Sequence, residues 1–166
     1  MTVKAEAERG GNPMVFSYED LQSMHYLHAS ICESLRLYPP VLFDSKHALH
    51  NDVLPDGTFV GKGTRVTYHP YAMGRMEAIW GADCLEFKPE RWVNEDGHFV
   101  PQSPFKFAVF QAGMQVCLGK EMAFIQMKYV VVTVVSMFRL WLPVDFSALG
   151  SPKLIHTLTA RMKGGL

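Results

Sequence analysis

Several features that would place a chain quickly are scarce or missing here. Cysteine is scarce: Cys32, Cys84 and Cys117 are scattered, odd in number and form no C-x-x-C pair. Neither a disulfide framework nor a zinc knuckle is suggested, and a reducing compartment or cytosolic face fits best. Excess charge is missing, with 16 Lys and Arg against 16 Asp and Glu, so composition suggests no nucleic acid or acidic partner. Long hydrophobic runs are missing as well. The longest, Tyr129 to Phe138, is interrupted by Thr133 and Ser136 and bounded by Lys128 and Arg139. It is too short to span a bilayer and reads as a buried helix. Met1 to Asn12 is polar and charged, so neither a signal peptide nor a membrane anchor is expected. No G-x-S-x-G, P-loop or G-x-G-x-x-G occurs, which leaves hydrolase, NTPase and Rossmann readings without support. There are no repeats and no low-complexity tract.

At 166 residues the chain fits one domain, 1–166, and can bury a real core. Residues 1–13 are polar and Gly-containing and are expected to be a disordered terminus. Ser17 with Asp20 three residues on marks a helix start. Leu21, Met24, Leu27, His28, Ile31 and Leu35 continue helical spacing until Pro39-Pro40 ends it. From Val41 to Tyr68 the pattern changes. A Pro55-Asp56-Gly57 turn lies between short apolar strand pieces, and Thr64 to Tyr68 favours β, which predicts a small antiparallel sheet. His69 to Trp80 reads as a loop and a short helix, Asp83 to Trp92 as irregular, Asn94 to Gly97 as a turn and Pro101 to Gln115 as a long loop. Gly119 to Phe138 predicts a helix apolar on so many sides that it should be buried on most of them. Leu140 to Val144 and Leu154 to Ala160 read as terminal strands. The fold class is therefore mainly α with small antiparallel β-sheets.

One stretch carries most of the chemistry: Phe110-Gln-Ala-Gly113-Met-Gln115-Val-Cys117-Leu-Gly119. It sets one cysteine after a Gly-containing loop and just before an apolar helix, whose first backbone N–H groups favour a thiolate. Such a thiolate can be the axial ligand of a haem iron, although a lone Cys beside an apolar run is also what a buried small hydrophobe looks like. Two further signatures lie upstream. Glu33-Ser-Leu-Arg36 places Glu and Arg at i and i+3, which alone is the pattern of a solvated surface pair. Phe87-Lys-Pro89-Glu90-Arg91-Trp92 is weak alone too. Together and in this order, the three motifs closely resemble those of the haem-thiolate monooxygenases, the cytochromes P-450.

The resemblance runs from about Val15 to the end and corresponds to the C-terminal third of that fold. It implies haem b as cofactor, with Cys117 ligating iron. Gly113 would give the loop a conformation closed to residues with a Cβ. Gly119 would let the next helix approach the porphyrin, and Phe110 would shield the sulfur side. It also implies that Glu33, Arg36 and Arg91 form a buried triad supporting the haem loop. The chain departs from the family where Met114-Gln115 replaces the usual Pro-Arg. That Arg pairs with a haem propionate, while Gln115 offers only a neutral amide, so haem affinity should fall. A second cationic contact is expected from Lys46-His47, His47 being the candidate of the pair on the propionate side; a solvated loop is the alternative. The family's distal acid–threonine helix has no counterpart in this sequence, so no catalytic residue beyond the haem ligand is identified. The pairs His25/His28 and His47/His50 lack a third metal ligand and read as structural or surface histidines.

His25-Tyr-Leu-His28-Ala, Asp44-Ser-Lys-His47-Ala, Leu54-Pro-Asp-Gly-Thr-Phe-Val60 and Gly119-Lys-Glu-Met-Ala-Phe-Ile-Gln-Met-Lys128 resemble the plant fatty-acid ω-hydroxylase branch. That implies a fatty-acyl substrate and electrons from NADPH through a membrane reductase. For a full-length family member it also implies residence on the cytosolic face of the endoplasmic reticulum membrane. Lys106, Lys120 and Lys128 can join a basic patch for the reductase or can be ordinary solvated lysines. The rival reading is a truncated, catalytically inactive fragment, haem-binding or haem-free.

Overall fold

A computed structural model of the chain describes residues 4–7, 15–141, 154–155 and 159–162. The described residues form five α-helices and four small antiparallel β-sheets of two strands each. The helices are α1 (Tyr18–Ser23), α2 (His25–Leu37), α3 (Pro70–Met73), α4 (Glu77–Trp80) and α5 (Lys120–Met137). The strands pair as β1 (Lys4–Ala7) with β6 (Phe138–Trp141), β2 (Asp44–His47) with β5 (Arg65–Tyr68), β3 (Asp52–Val53) with β4 (Phe59–Val60), and β7 (Leu154–Ile155) with β8 (Arg161–Met162). Lys4–Ala7 thus form a strand inside the stretch expected to be disordered. The expected strand Leu140 to Val144 begins earlier, at Phe138, and its residues 142–144 lie outside the described residues. Of Leu154 to Ala160, only the first two residues are described as strand, and 156–158 also lie outside.

The helical run after Ser17 breaks in two. Ser17 and Asp20 form a reciprocal capping box that starts α1. The break at Met24 follows from competition for carbonyls. Ser23 Oγ donates to Asp20 O at 2.8 Å. The Lys128 ammonium donates to Leu21 O at 2.7 Å, the oxygen that a continuous helix would offer to His25 N–H. α2 then runs to Leu37, where the following prolines stop it. The Pro55-Asp56-Gly57 turn closes the β3–β4 hairpin with Gly57 at φ 87°, a left-handed conformation that glycine takes without steric cost.

The core is where α2, α4, the 3₁₀ turn Pro89–Trp92 and α5 meet. Ala29, Ile31, Cys32, Trp80, Cys84, Trp92 and Phe124 are buried there. Phe107 meets Trp92 edge-on, with ring centroids 4.8 Å apart. His28 belongs to the same cluster, stacked on Phe99 at 4.1 Å and close to Phe124 at 4.3 Å. Burial first, and then the neighbouring Lys128 and Lys120 charges, lower its pKa to about 4. The unfolded chain therefore binds a proton that the folded chain refuses between the usual 6.5 and about 4, so folding stability falls as pH drops through that window. We expect His28→Phe to flatten the pH dependence of the urea midpoint across it; an unchanged slope contradicts this placement.

α5 departs from expectation. Only Phe124 and Lys128 are buried along it, while Val130 and Val135 are 59% and 57% exposed. The helix is apolar on most sides as the sequence indicated, but α1 and α2 cover only part of its circumference.

Candidate functional site

Two assemblies meet on this scaffold, a buried charge network and a loop carrying an exposed thiol. The network is centred on α2. Glu33 and Arg36, one helical turn apart, are 0% and 1% exposed. Arg36 grips Glu33 with both ends of its fork, Nε to Oε2 at 2.8 Å and Nη2 to Oε1 at 2.7 Å, the bidentate geometry that makes such pairs strong. Its remaining donors reach the carbonyls of Gly74, Cys84 (2.6 Å) and Glu86 (2.9 Å). Arg91 adds a longer contact, Nε to Glu33 Oε1 at 3.3 Å, and donates to Trp80 O and Asp83 O. Trp92 Nε1 donates to Glu33 Oε2 at 2.9 Å, and Lys88 N–H to Oε1 at 2.9 Å. The structure thus brings Glu33, Arg36 and Arg91 together.

Burial pushes the Glu33 carboxyl up, but hydrogen bonds from Arg36, Trp92 and the Lys88 N–H outweigh it, and the net direction is down. Glu33 therefore stays ionised among its donors, as a buried carboxylate requires. Gly74 makes the network possible. A Cβ there would lie 2.2 Å from Arg36 O, so any larger residue would force α3 away from the end of α2.

The loop leads from this network to α5. Phe110 packs its ring on Phe124 at 5.2 Å, and its carbonyl accepts the Cys117 N–H at 2.9 Å, closing the loop at its base. Gly113 sits at φ 72°, so the expected need for glycine there follows from backbone conformation. Gly119 is different. A Cβ there would meet Cys117 Sγ at 3.9 Å, ordinary contact, so nothing in the chain itself demands glycine; its effect is to keep the sulfur side open.

The three cysteines now separate. Cys32 is buried, and burial pushes its thiol up to about 12. Cys84 is buried with Sγ on Arg75 O at 3.2 Å. Cys117 is exposed, flanked by Met114 and Leu118, which are fully exposed, and by Val116 at 44%. An exposed thiol within an apolar rim suits an apolar group that brings its own metal, since thiolate is a soft ligand.

Polar side chains fasten this loop to the β2–β5 sheet. Gln111, at φ 68° the one described non-glycine residue with positive φ, bonds both Asp44 and Tyr68. Tyr68 Oη also donates to Asp44 Oδ2 at 3.3 Å. Two residue pairs further along the ladder, Lys46 Nζ donates to Gln115 Oε1 at 2.7 Å. Alternation along a strand puts Asp44 and Lys46 on one face and Ser45 and His47 on the other. Ser45 indeed faces away, bonding Thr67 and Arg65. The structure therefore brings Lys46 to the loop and does not bring His47. Gln111, Asp44 and Tyr68 escaped sequence reasoning, since a Gln with positive φ has no sequence signal.

Two of the three lysines that could join a basic patch have other partners. Lys128 is 5% exposed and spent on Leu21 O, and Lys106 lies over the Trp80 ring at 4.4 Å. Among the described residues, no helix is long and apolar enough to cross a membrane.

The sequence profile of the family described as Cytochrome P450 matches residues 4–151. "Cytochrome P450 94C1" of Arabidopsis thaliana is 53% identical over 154 residues, covering 89% of this chain and 30% of that protein. "Cytochrome P450 94A2" of Vicia sativa is 50% identical over 159 residues, covering 93% of this chain and 31% of that protein. A "Cytochrome P450" of Helianthus annuus is 54% identical over 149 residues, covering 89% and 92% of the two chains. The chain thus spans about 30% of the length of the Arabidopsis and Vicia relatives.

Proposed function

The chain belongs to the cytochrome P450 family, and on that premise we propose that it forms the haem-thiolate part of a monooxygenase acting on fatty-acyl substrates. The observation that carries this reading is the single exposed cysteine, Cys117, held on a loop whose base is closed by the Phe110–Cys117 hydrogen bond. When bound, haem b supplies the iron at which O2 is activated and one oxygen atom inserted into the substrate. The residues here fit that group: a soft donor, an apolar rim and a cation set beside them.

In this reading Cys117 would provide the thiolate that holds the iron, and Gly119 would keep its sulfur approachable. Lys46 and Gln115 would hold a haem carboxylate, Lys46 supplying the charge that Gln115 lacks. Gln111, Asp44 and Tyr68 hold the loop at fixed height over the sheet. Glu33, Arg36 and Arg91 fix the Pro89–Trp92 turn, and through it the aromatic floor under Phe110. Electrons come from NADPH through a reductase, and a full-length protein of this kind sits on the cytosolic face of the endoplasmic reticulum membrane.

The replacement of Arg by Gln115 supports a second reading, a haem-binding fragment without turnover. One experiment separates the two. The chain is joined, as one polypeptide, to the part of the Vicia relative it does not match and assayed with reductase, NADPH and a fatty acid. Hydroxylated product that disappears in Cys117→Ala supports the monooxygenase; a folded, haem-loaded chimera without product supports the inactive fragment.

The cost of Gln115 is measurable separately. A charge-assisted bond exceeds a neutral one by about 0.5–2 kcal/mol, so Gln115→Arg should tighten haem binding by about 2- to 30-fold in an equilibrium haem titration. Unchanged or weaker binding contradicts the carboxylate role of this position.

A further inference from the structure

Sequence spacing pairs His25 with His28, but the fold gives His25 a different partner. His25 opens α2, and His98 follows the turn at Asn94 to Gly97. Their ring centroids lie 5.0 Å apart with the planes at 73°. Both segments are held in place. The His98 N–H donates to Asn94 Oδ1 at 2.8 Å, and its carbonyl accepts the Asn94 N–H at 2.9 Å. The next residue, Phe99, stacks on His28 at 4.1 Å, which fastens the turn to α2 one helical turn beyond His25. His28 itself is taken up between Phe99 and Phe124. Neither the His25 nor the His98 ring has a hydrogen-bond partner among the described residues. Edge-on ring packing accounts for such a contact, but the spacing is also the one that shared ligation demands. Two imidazoles on one ion, with metal–nitrogen bonds of about 2.0–2.1 Å at a tetrahedral angle, hold their centroids about 5 Å apart.

We propose that His25 and His98 together bind one divalent transition-metal ion of the zinc class, at a site separate from Cys117. Imidazole nitrogen suits such ions. Among the described residues no third His, Cys, Asp or Glu completes a cluster, so water takes the remaining positions, as in an open site. His98 is exposed, which gives the ion a path from solvent. A cleft of about 260 Å³ beside His25 gives the water room. Glu121 and Lys128 line that cleft too, the Lys128 ammonium being spent on Leu21 O. Once bound, the ion ties the Asn94–His98 turn to the start of α2. Trp92 O accepts the Val100 N–H at 2.7 Å, so the same tie braces the Pro89–Trp92 turn. The proposal does not rest on haem ligation, and its test is read without haem.

Zinc chloride is titrated into the full chain, without a histidine tag, above the ordinary imidazole pKa. Nuclear magnetic resonance of the histidine rings reads each site separately, so zinc taken by the exposed Cys117 thiol does not confuse the result. The His25 and His98 ring signals are expected to move together, with one shared midpoint. In His98→Gln the His25 midpoint should rise at least about 10-fold, since even a change beside a metal ligand costs 10- to 100-fold. In His25→Gln the His98 midpoint should rise likewise, while His50→Gln, in the other histidine pair, should leave both where they were. If circular dichroism shows lost helix in His25→Gln, the exposed His98→Gln carries the test alone. The proposal is overturned if the two rings move with different midpoints, or if zinc moves neither. It is overturned equally if His25 responds to zinc as before in His98→Gln, which would mean an adventitious ion only.

Discussion

Glu33→Gln is expected to remove about 3–5 kcal/mol of folding stability, read as a lower urea midpoint at neutral pH. The size follows from the arrangement. Glu33 is fully buried and accepts from Arg36, Arg91, Trp92 and the Lys88 N–H. Glutamine keeps the shape but removes the charge, leaving the buried Arg36 guanidinium without its counterion, and it turns one acceptor oxygen into a donor facing other donors. The pH signature has a fixed sign. The Glu33 pKa is lowered on folding, so its contribution is present above the unfolded carboxyl value and is lost as pH falls through the folded one. The variant should therefore lose stability at neutral pH and show a shallower acid limb. A loss below about 1 kcal/mol, the value of an exposed ion pair, contradicts the network.

Cys117→Ala is expected to lower haem affinity at least about 100-fold, since changes merely beside a metal ligand cost 10- to 100-fold. Neither other thiol can replace it. Cys32 is buried with its thiol pushed up to about 12, and Cys84 is buried with its sulfur on Arg75 O. The check is the rate at which haem passes from the loaded chain to an excess of apomyoglobin, compared with Cys32→Ala. Equal rates for native chain and Cys117→Ala place the haem ligand elsewhere; slow transfer from the native chain and fast transfer from Cys117→Ala alone support the assignment.

How far the sequence revealed this arrangement depends on the range of the forces involved. The capping box at Ser17 and the hairpin at Gly57 were legible because they are settled within a few residues. Glu33, Arg36 and Arg91 were legible only as members of an ordered set of motifs. Spacing alone cannot tell a buried pair from a solvated one, and what buries this pair is the distant aromatic wall of Trp80 and Trp92. The break at Met24 was not legible, since it depends on Lys128, more than a hundred residues away, reaching the Leu21 carbonyl. The same bond withdraws Lys128 from any surface patch. That Lys46 and not His47 reaches the loop was not legible, because strand register is set by pairing with β5 and not by local composition. α5 was expected to be buried on most sides from its apolar pattern, yet burial also needs neighbours, and α1 and α2 supply too few.

The central claim is that Cys117 holds haem iron as a thiolate. The most direct measurement is the carbon monoxide difference spectrum of the reduced, haem-supplied chain, recorded beside Cys117→Ala. The account predicts the far-red Soret band of thiolate ligation in the native chain and its loss in the variant. A Soret band at the position typical of neutral nitrogen ligation, or a far-red band that survives in Cys117→Ala, would contradict it.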